Sequence, residues 1–166
     1  MATPAGLIET KHVNIRELHF KTLEEALAEV DRIVAAERSG TLQRLGNWTT
    51  GQIFGHIAYW INLGFDGGGP TPPWFIRLMG PMIKKKILYG NLQKGFRLPG
   101  APEGTYGTEN LSLDEGEKRI RAAINRLMKD TPTRPNPVFG KMTREEWVAL
   151  HLRHHELHLG FLVPQS

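Results

Sequence analysis

Three helix-start signals constrain the fold of this chain more than any other feature. Each is a Ser or Thr followed three residues later by Glu, with apolar residues at helical spacing behind it: Thr22 with Glu25, Ser112 with Glu115, and Thr143 with Glu146. In this capping box the hydroxyl accepts a hydrogen bond from a free backbone N–H of the first turn, and the carboxylate accepts one from the capping residue. The signals therefore predict helices that begin at these three places.

Two further helices are predicted between the first and the second of these signals. One begins near Thr49, carries apolar residues three and four positions apart, and ends at the glycines of residues 67–69. The other runs roughly from Trp74 to Leu88, with a bend expected at Pro81 because proline cannot donate a helical hydrogen bond. The chain thus has five predicted helices.

The predicted fold class is all-α, because the alternation typical of β-strands is nearly absent. We expect a bundle of four main helices with an extra short helix, formed by residues 1–166 as a single domain. Residues 1–21 lack helical periodicity and are expected to be an extended lead-in. Residues 89–110 contain five glycines and two prolines, so we expect a long flap loop there.

The composition excludes several kinds of chemistry. The chain has no cysteine, so disulfides, thiolate metal ligands and a cysteine nucleophile are ruled out. No apolar run approaches a membrane-spanning length, and the N-terminus does not resemble a leader, so we expect a cytoplasmic protein with no stable membrane insertion. The net charge of +4 at pH 7 is modest and predicts solubility, with no nucleic-acid partner.

The third predicted helix is apolar and ends in three lysines, at residues 84–86. These lysines could form a basic amphipathic face for a membrane surface or a nucleic acid. We interpret them instead as a solvated helix end, where the helix dipole favours positive charge. The apolar character of the helix makes a homodimer plausible.

Four of the seven histidines lie close together in the predicted last helix. His154 and His158 are one turn apart, and so are His151 and His155. Projection at about 100° per residue places His151, His154 and His158 among the apolar side chains and His155 toward the edge of that face. The same projection turns Glu156 toward solvent.

The predicted second helix supplies a third metal ligand, His56, which lies within the apolar stripe of that helix. A buried imidazole needs partners for both nitrogens, and apolar neighbours provide none. A cation solves this problem, because it takes one nitrogen and leaves the other to donate to an oxygen. We therefore predict a metal site of His56, His154 and His158, with His151 and His155 as the alternative pair. Three protein ligands leave a position for water, as in catalytic zinc sites.

The zinc-protease motif His-Glu-x-x-His does not fit this helix. The sequence has His155 followed by Glu156 and then His158, which is one residue short of the required spacing. Glu156 is expected on the solvated face, so it is a poor general base. The sequence identifies no catalytic residue of the protein itself.

Two motifs carry a family resemblance. One runs from Trp48 through Gly55 and His56, and the other is the His154-x-x-x-His158 segment followed by Gly160. Together they resemble the DinB/YfiT-like superfamily, particularly its uncharacterised bacterial branch, over about residues 18–162. In that superfamily a four-helix bundle holds a divalent metal with one histidine of the second helix and a His-x-x-x-His pair of the last helix. The resemblance implies the same three ligands.

The resemblance also implies a range of activities. Characterised relatives include thiol-dependent transferases and an isomerase, so we expect a divalent metal, with zinc first and nickel or iron as alternatives, that activates water or a small-thiol co-substrate. The reaction would be of the hydrolase or thiol S-transferase type on a small-molecule substrate. The alternatives are a non-catalytic, metal-containing stress or ligand-binding protein, and a metal-free helical interaction domain.

Overall fold

The computed structural model describes residues 7–98, 101 and 104–165. Most of these residues are helical, and a small sheet of two strands is added to the helices. The elements in chain order are α1 (Leu23–Ser39), β1 (Leu42–Arg44), α2 (Thr50–Asp66), α3 (Trp74–Tyr89), α4 (Leu113–Lys129), α5 (Arg144–Leu159) and β2 (Leu162–Pro164). The expectation of a mainly helical fold is confirmed.

The helices begin where the capping signals predict. The Thr143 side chain accepts from the backbone N–H of Glu146, while the Glu146 carboxylate accepts from the backbone of Thr143, which completes a capping box at the start of α5. A second complete box opens α2, with Gln52 in the place of the glutamate and Thr49 as the cap. Both helices that carry the predicted metal ligands therefore have well-defined N-termini.

The helices enclose one apolar core, to which α1, α2, α4 and α5 all contribute. Close contact between α2 and α4 depends on two glycines, since a Cβ atom at Gly116 would lie 2.7 Å from the Cα of Gly51. Several large side chains of the core are buried almost completely: Phe54, Ile57, Ile61, Ile120, Ile124 and Leu127. This packing fixes α2 against the rest of the bundle.

The two strands were missed by the all-α prediction. They pair antiparallel, with Leu42 opposite Pro164 and Arg44 opposite Leu162. Each strand has only three residues, too few for period-two alternation to be visible in the sequence. The pairing joins the segment after α1 to the segment after α5, so it holds the C-terminal end of α5 in place.

The lead-in contains a 3-10 turn at Thr10–His12, and residues 1–6 of the predicted segment lie outside the described residues. It is attached to the bundle through Arg16, whose backbone N–H donates to the carbonyl of Gly160 at 3.0 Å. The Arg16 guanidinium also contacts the buried carboxylate of Glu29 at 2.6 Å. The predicted flap has no α-helix or β-strand among its described residues after Gly90, and residues 99–100 and 102–103 lie outside them.

The third helix continues through Pro81 as one element, and only Gly80 and Leu88 of its residues are buried. It is attached to α5 by Lys84, whose ammonium group lies 2.6 Å from the Glu146 carboxylate and donates to the Lys141 carbonyl at 3.2 Å. Lys84 is thus not a solvated lysine, contrary to our interpretation of the lysine run. Within the described part of the chain, no helix combines the length and the apolar character needed to cross a bilayer.

Candidate metal centre

Three histidines from two helices meet at one point of the bundle. His56 comes from α2, and His154 and His158 come from α5. One ring nitrogen of each lies within 4.8 Å of the other two, so the group could hold a metal ion. The ring centroids of His56 and His158, and those of His154 and His158, are 4.5 Å apart. These are the three residues that the sequence predicts.

A backbone carbonyl fixes the orientation of the His56 ring. The Nδ1 atom of His56 lies 2.8 Å from the carbonyl oxygen of Tyr106, in the flap. A carbonyl can only accept, so Nδ1 carries the proton and donates. In the neutral ring, Nε2 then presents a lone pair, and it faces the Nε2 of His154 at 3.2 Å. The flap therefore selects the tautomer that is suited to metal binding.

The three rings are held in the neutral form. Burial lowers the pKa of His56 to about 4, although the hydrogen bond to Tyr106 opposes the shift. Burial, followed by repulsion from His158 and His56, lowers the pKa of His154 well below its ordinary value. Burial and the neighbouring His56 do the same to the pKa of His158. Neutral imidazole is the form that binds metals, so protons compete weakly at this site.

The donor set and the distance between His56 and His154 fit a divalent cation. Two imidazole nitrogens bonded to one zinc ion at about 2.0–2.1 Å and the tetrahedral angle would be about 3.3 Å apart, close to the 3.2 Å between His56 and His154. A proton shared by these two nitrogens also fits that distance, but it does not involve His158, whose converging nitrogen lies within 4.8 Å of the other two. A cation would engage all three rings.

Two tryptophans form walls around the three histidines. The Trp48 ring stacks on His158, with centroids 5.8 Å apart and planes inclined by 8°, and it also lies 5.0 Å from the ring of His56. The edge of Trp60 approaches His56 at 6.2 Å. His56 is buried, whereas His154 and His158 are half-buried. The two tryptophans thus shield His56 and one face of His158, while His154 and His158 stay partly exposed.

The alternative pair of histidines lies elsewhere. The His151 ring is stacked on Trp147, with centroids 5.7 Å apart and planes inclined by 9°. The His155 Nδ1 donates to the backbone carbonyl of His151 at 2.6 Å. Both nitrogens of His151 and the Nε2 of His155 have no hydrogen-bond partner among the described residues. Our expectation that His155 lies at the edge of the apolar face is wrong, because the residue is completely buried.

Glu156 also lies where we did not expect it. It is only 8 % exposed, and its Oε1 accepts from the backbone N–H of Phe20 at 2.6 Å and from the Arg153 guanidinium at 2.5 Å. The lead-in covers this side of α5, so the polar stripe of the helix is a buried ion pair and not a solvated face. Glu156 is engaged in structure and is no base for the metal centre.

Two contributors to the site were missed or misjudged from the sequence. Trp48 was noted only as part of a motif, and nothing in helical periodicity places a residue that precedes α2. Tyr106 contributes through its backbone, because its carbonyl and not its side chain contacts His56. A cavity of about 250 Å³ is lined by the neighbouring Tyr59 and Gly107, and none of the three histidines borders it.

Comparison with known proteins identifies a family. A search of curated proteins found no match, and a search of solved structures found none either. A family model described as a protein of unknown function, DUF1569, matches residues 12–165. That range includes both helices of the metal centre and the flap. The chain belongs to the DUF1569 family.

Proposed function

We propose that this protein is a divalent-metal-dependent enzyme whose metal is held by His56, His154 and His158. The observation that carries the proposal is the convergence of three neutral ring nitrogens within 4.8 Å of one another. Neutral imidazole nitrogens that are aimed at one another repel through their lone pairs, and a cation between them would supply the shared partner.

The DinB/YfiT-like resemblance supports this proposal from a second direction. Its two motifs supply one histidine from α2 and two from α5, and the three side chains are close enough for one ion. We propose that the fold is of that type, with β1 and β2 as a small addition. The family model is silent on activity, so the site itself has to carry the functional argument.

We propose zinc as the metal, with nickel or iron as alternatives. All three donors are imidazoles, and no Asp or Glu joins the group in the described part of the chain. Neutral donors leave the double charge of the ion undiminished, and the bound metal would supply Lewis acidity that deprotonates a water or a thiol near neutral pH. Three protein ligands leave a coordination position free.

The residues around the ion would orient the ligand rings and exclude bulk water. The Tyr106 carbonyl holds the His56 ring in its metal-binding tautomer, and the ring of Trp48 shields His56 and His158 from bulk water. The half-buried side of His154 and His158 is where a small molecule would approach. Because the chain has no cysteine, any thiol that reacts here must arrive as a small co-substrate.

One observation favours a second candidate function. The three-histidine group contains no carboxylate, and Glu156 is occupied by Arg153 and the backbone of Phe20. Among the described residues, no carboxylate therefore joins the three histidines as a general base, which is also the arrangement of a binding site without turnover. A metal-containing stress or ligand-binding protein is the alternative.

Metal analysis followed by an activity screen tests the proposal. Protein purified without a histidine tag should contain about one divalent ion per chain by mass spectrometry, and the His158→Ala variant should lose most of it. Absence of metal from the intact protein, even after incubation with zinc, nickel or iron, would leave the metal-free interaction domain as the answer.

The screen separates the two metal-containing candidates. The zinc-loaded protein is assayed with cysteine or glutathione and an aryl-halide electrophile, and separately with activated esters for water as the nucleophile. Turnover that disappears in His158→Ala supports the enzyme. A stoichiometric metal with no turnover of any pair would favour the non-catalytic binding protein.

A further inference from the structure

The outward face of α3 is apolar, which is the reverse of an ordinary bundle helix. Its packed side is formed by the buried Gly80 and Leu88. Among the outward side chains, Met82 is 84 % exposed, Trp74 is 76 % exposed and Leu78 is 68 % exposed. A helix on the surface of a protein normally directs polar residues to water. A continuous apolar patch of this kind indicates a surface that binds something.

The exposed apolar side chains of α3 form one stripe. At about 100° per residue they fall within an arc of about 140°, on the side opposite Gly80. We call this stripe the α3 face, and it consists of Trp74, Phe75, Leu78, Met79, Met82 and Tyr89. Lys85 and Lys86 are exposed and project along its C-terminal end. The apolar stripe and two cations thus share one face.

The segment that carries the α3 face has charges of a single sign. Residues 67–102 contain six Lys or Arg and no Asp or Glu, whereas the whole chain has 21 basic and 17 acidic residues. Lys84 is neutralised by Glu146, but Arg77, Lys85 and Lys86 are exposed on the helix. A partner that covers the face must accept these charges as well as the apolar side chains.

We propose that the α3 face docks onto the surface of an anionic lipid bilayer. The apolar side chains would enter the boundary between headgroups and acyl chains, and Lys85 and Lys86 would extend along the same face to the lipid phosphates. Trp74 and Tyr89, at opposite ends of α3, are the residue types that favour the membrane–water interface. The helix lies on the membrane and does not cross it.

A second copy of the chain fits this face less well. In a two-fold contact the same patch lies on both partners, so Lys85 and Lys86 of one copy would lie against the same positive face of the other, with no acid in residues 67–102 to pair with them. An anionic bilayer neutralises the same charges, and each Lys or Arg near it contributes attraction of about 1 kcal/mol.

Vesicle co-sedimentation tests the proposal on the full chain. Vesicles of pure phosphatidylcholine are compared with vesicles that contain about 30 % phosphatidylserine. We expect binding to the anionic vesicles only, and a large loss of binding in about 0.5 M salt because salt screens the exposed charges.

Two variants with matched controls locate the binding surface. Met82→Glu places a charge in the centre of the stripe and should abolish sedimentation, whereas Leu7→Glu, which alters another exposed apolar residue at 52 % exposure, should not. The double change of Lys85→Glu and Lys86→Glu should lower the partition coefficient by at least about 30-fold. The same charge reversal at Lys118 and Lys129 on α4 should leave the partition coefficient unchanged. Circular dichroism verifies that each variant is folded.

The proposal is overturned by two results. One is the absence of binding to anionic vesicles above the level of the neutral ones. The other is equal binding of the Met82→Glu and Leu7→Glu variants, which would place the contact elsewhere. Sedimentation velocity is run in parallel: a concentration-dependent dimer that Met82→Glu abolishes, together with no vesicle binding, would assign the α3 face to a second copy of the chain.

Discussion

Two pairs of histidines on α5 have the same spacing and different surroundings. His154 and His158 face His56 on α2, and one nitrogen from each of the three rings converges on a common point. His151 and His155 are more deeply buried, but one ring lies flat on Trp147 and the other donates to a backbone carbonyl within its own helix. Spacing along a helix is therefore not sufficient for a metal site.

What lies opposite each pair decides its chemistry. A half-buried pair that faces a third imidazole can share a cation and keep a face open to a substrate. A fully buried pair that faces an indole can only pack, and it leaves three ring nitrogens without partners among the described residues. We infer that the first pair contributes to function and that the second pair makes stability fall as the pH falls.

The strongest test of this comparison removes one histidine from each pair. His154→Ala should lower zinc affinity by at least about 1,000-fold, because two imidazoles from separate helices chelate far less effectively than three. His151→Ala should retain the metal of the unaltered protein, since its ring is stacked on Trp147 away from the convergence. Isothermal titration of metal-depleted proteins measures both affinities.

The same two variants can also contradict the assignment of the site to His154 and His158. If His151→Ala lost the metal and His154→Ala kept it, the site would belong to the other pair. Thermal melting of the metal-free proteins provides the control for folding, because a buried His→Ala change leaves a cavity and lowers stability by about 1–3 kcal/mol.

Most of the fold could be predicted because the sequence states it locally. Hydroxyl and carboxylate residues three positions apart mark the starts of α1, α4 and α5, and the predicted helices begin there. The His56, His154 and His158 group followed from an apolar stripe that could not satisfy buried imidazoles. Each step rests on local periodicity, because the burial of a histidine is read from the residues within one or two turns of it.

The features that the sequence did not predict depend on contacts between distant parts of the chain. Glu156 faces a side of α5 that would be solvated if the lead-in did not cover it, and helical projection contains no information about the lead-in. The same is true of Tyr106, which reaches His56 from 50 residues away in the chain. A backbone carbonyl has no side-chain signature, so no sequence pattern could have assigned this role.

A third side of α5, covered by the lead-in, carries Glu156 in a buried ion pair with Arg153. Glu156→Ala should lower the free energy of unfolding by about 3 kcal/mol, because the Arg153 guanidinium and the backbone N–H of Phe20 would lose their common acceptor. Urea denaturation measures the loss, with the exposed Glu17→Ala as the control. A change of equal size in both variants would contradict the structural role, and metal affinity should be unaltered in both.

The buried pair should also make the stability of the protein depend on pH. Burial, with repulsion from His155, lowers the pKa of His151 from 6.5 to about 3. Below pH 6.5 the unfolded chain takes up a proton at this residue and the folded protein does not, so the free energy of unfolding falls as pH falls. Between pH 7 and pH 5 one such histidine accounts for a loss of about 2 kcal/mol.

Replacement of His151 by Phe should remove that loss and retain the stacking on Trp147. We expect the difference in unfolding free energy between pH 7 and pH 5 to be about 2 kcal/mol smaller in His151→Phe than in the unaltered protein. Urea denaturation of both proteins in the presence of a chelator measures it, since the other histidines then contribute equally. Parallel stability curves would show that His151 is not held neutral.

The smallest expected effect concerns the flap contact that distinguishes His56 from the packed pair. Gly107 follows Tyr106 with a positive φ of 72°, and a Cβ atom there would lie 2.7 Å from the side chain of Tyr59. Gly107→Ala should displace the Tyr106 carbonyl from His56 and lower zinc affinity by about 10-fold, the scale of losing a partner of a metal ligand.

Gly40→Ala is the matched control, because Gly40 has φ of 74° and nothing within 4 Å of the added methyl group. Both variants carry the same backbone strain of about 1 kcal/mol, so a loss of affinity in Gly107→Ala alone isolates the carbonyl. Equal affinities in the two variants would mean that His56 keeps its tautomer without the flap.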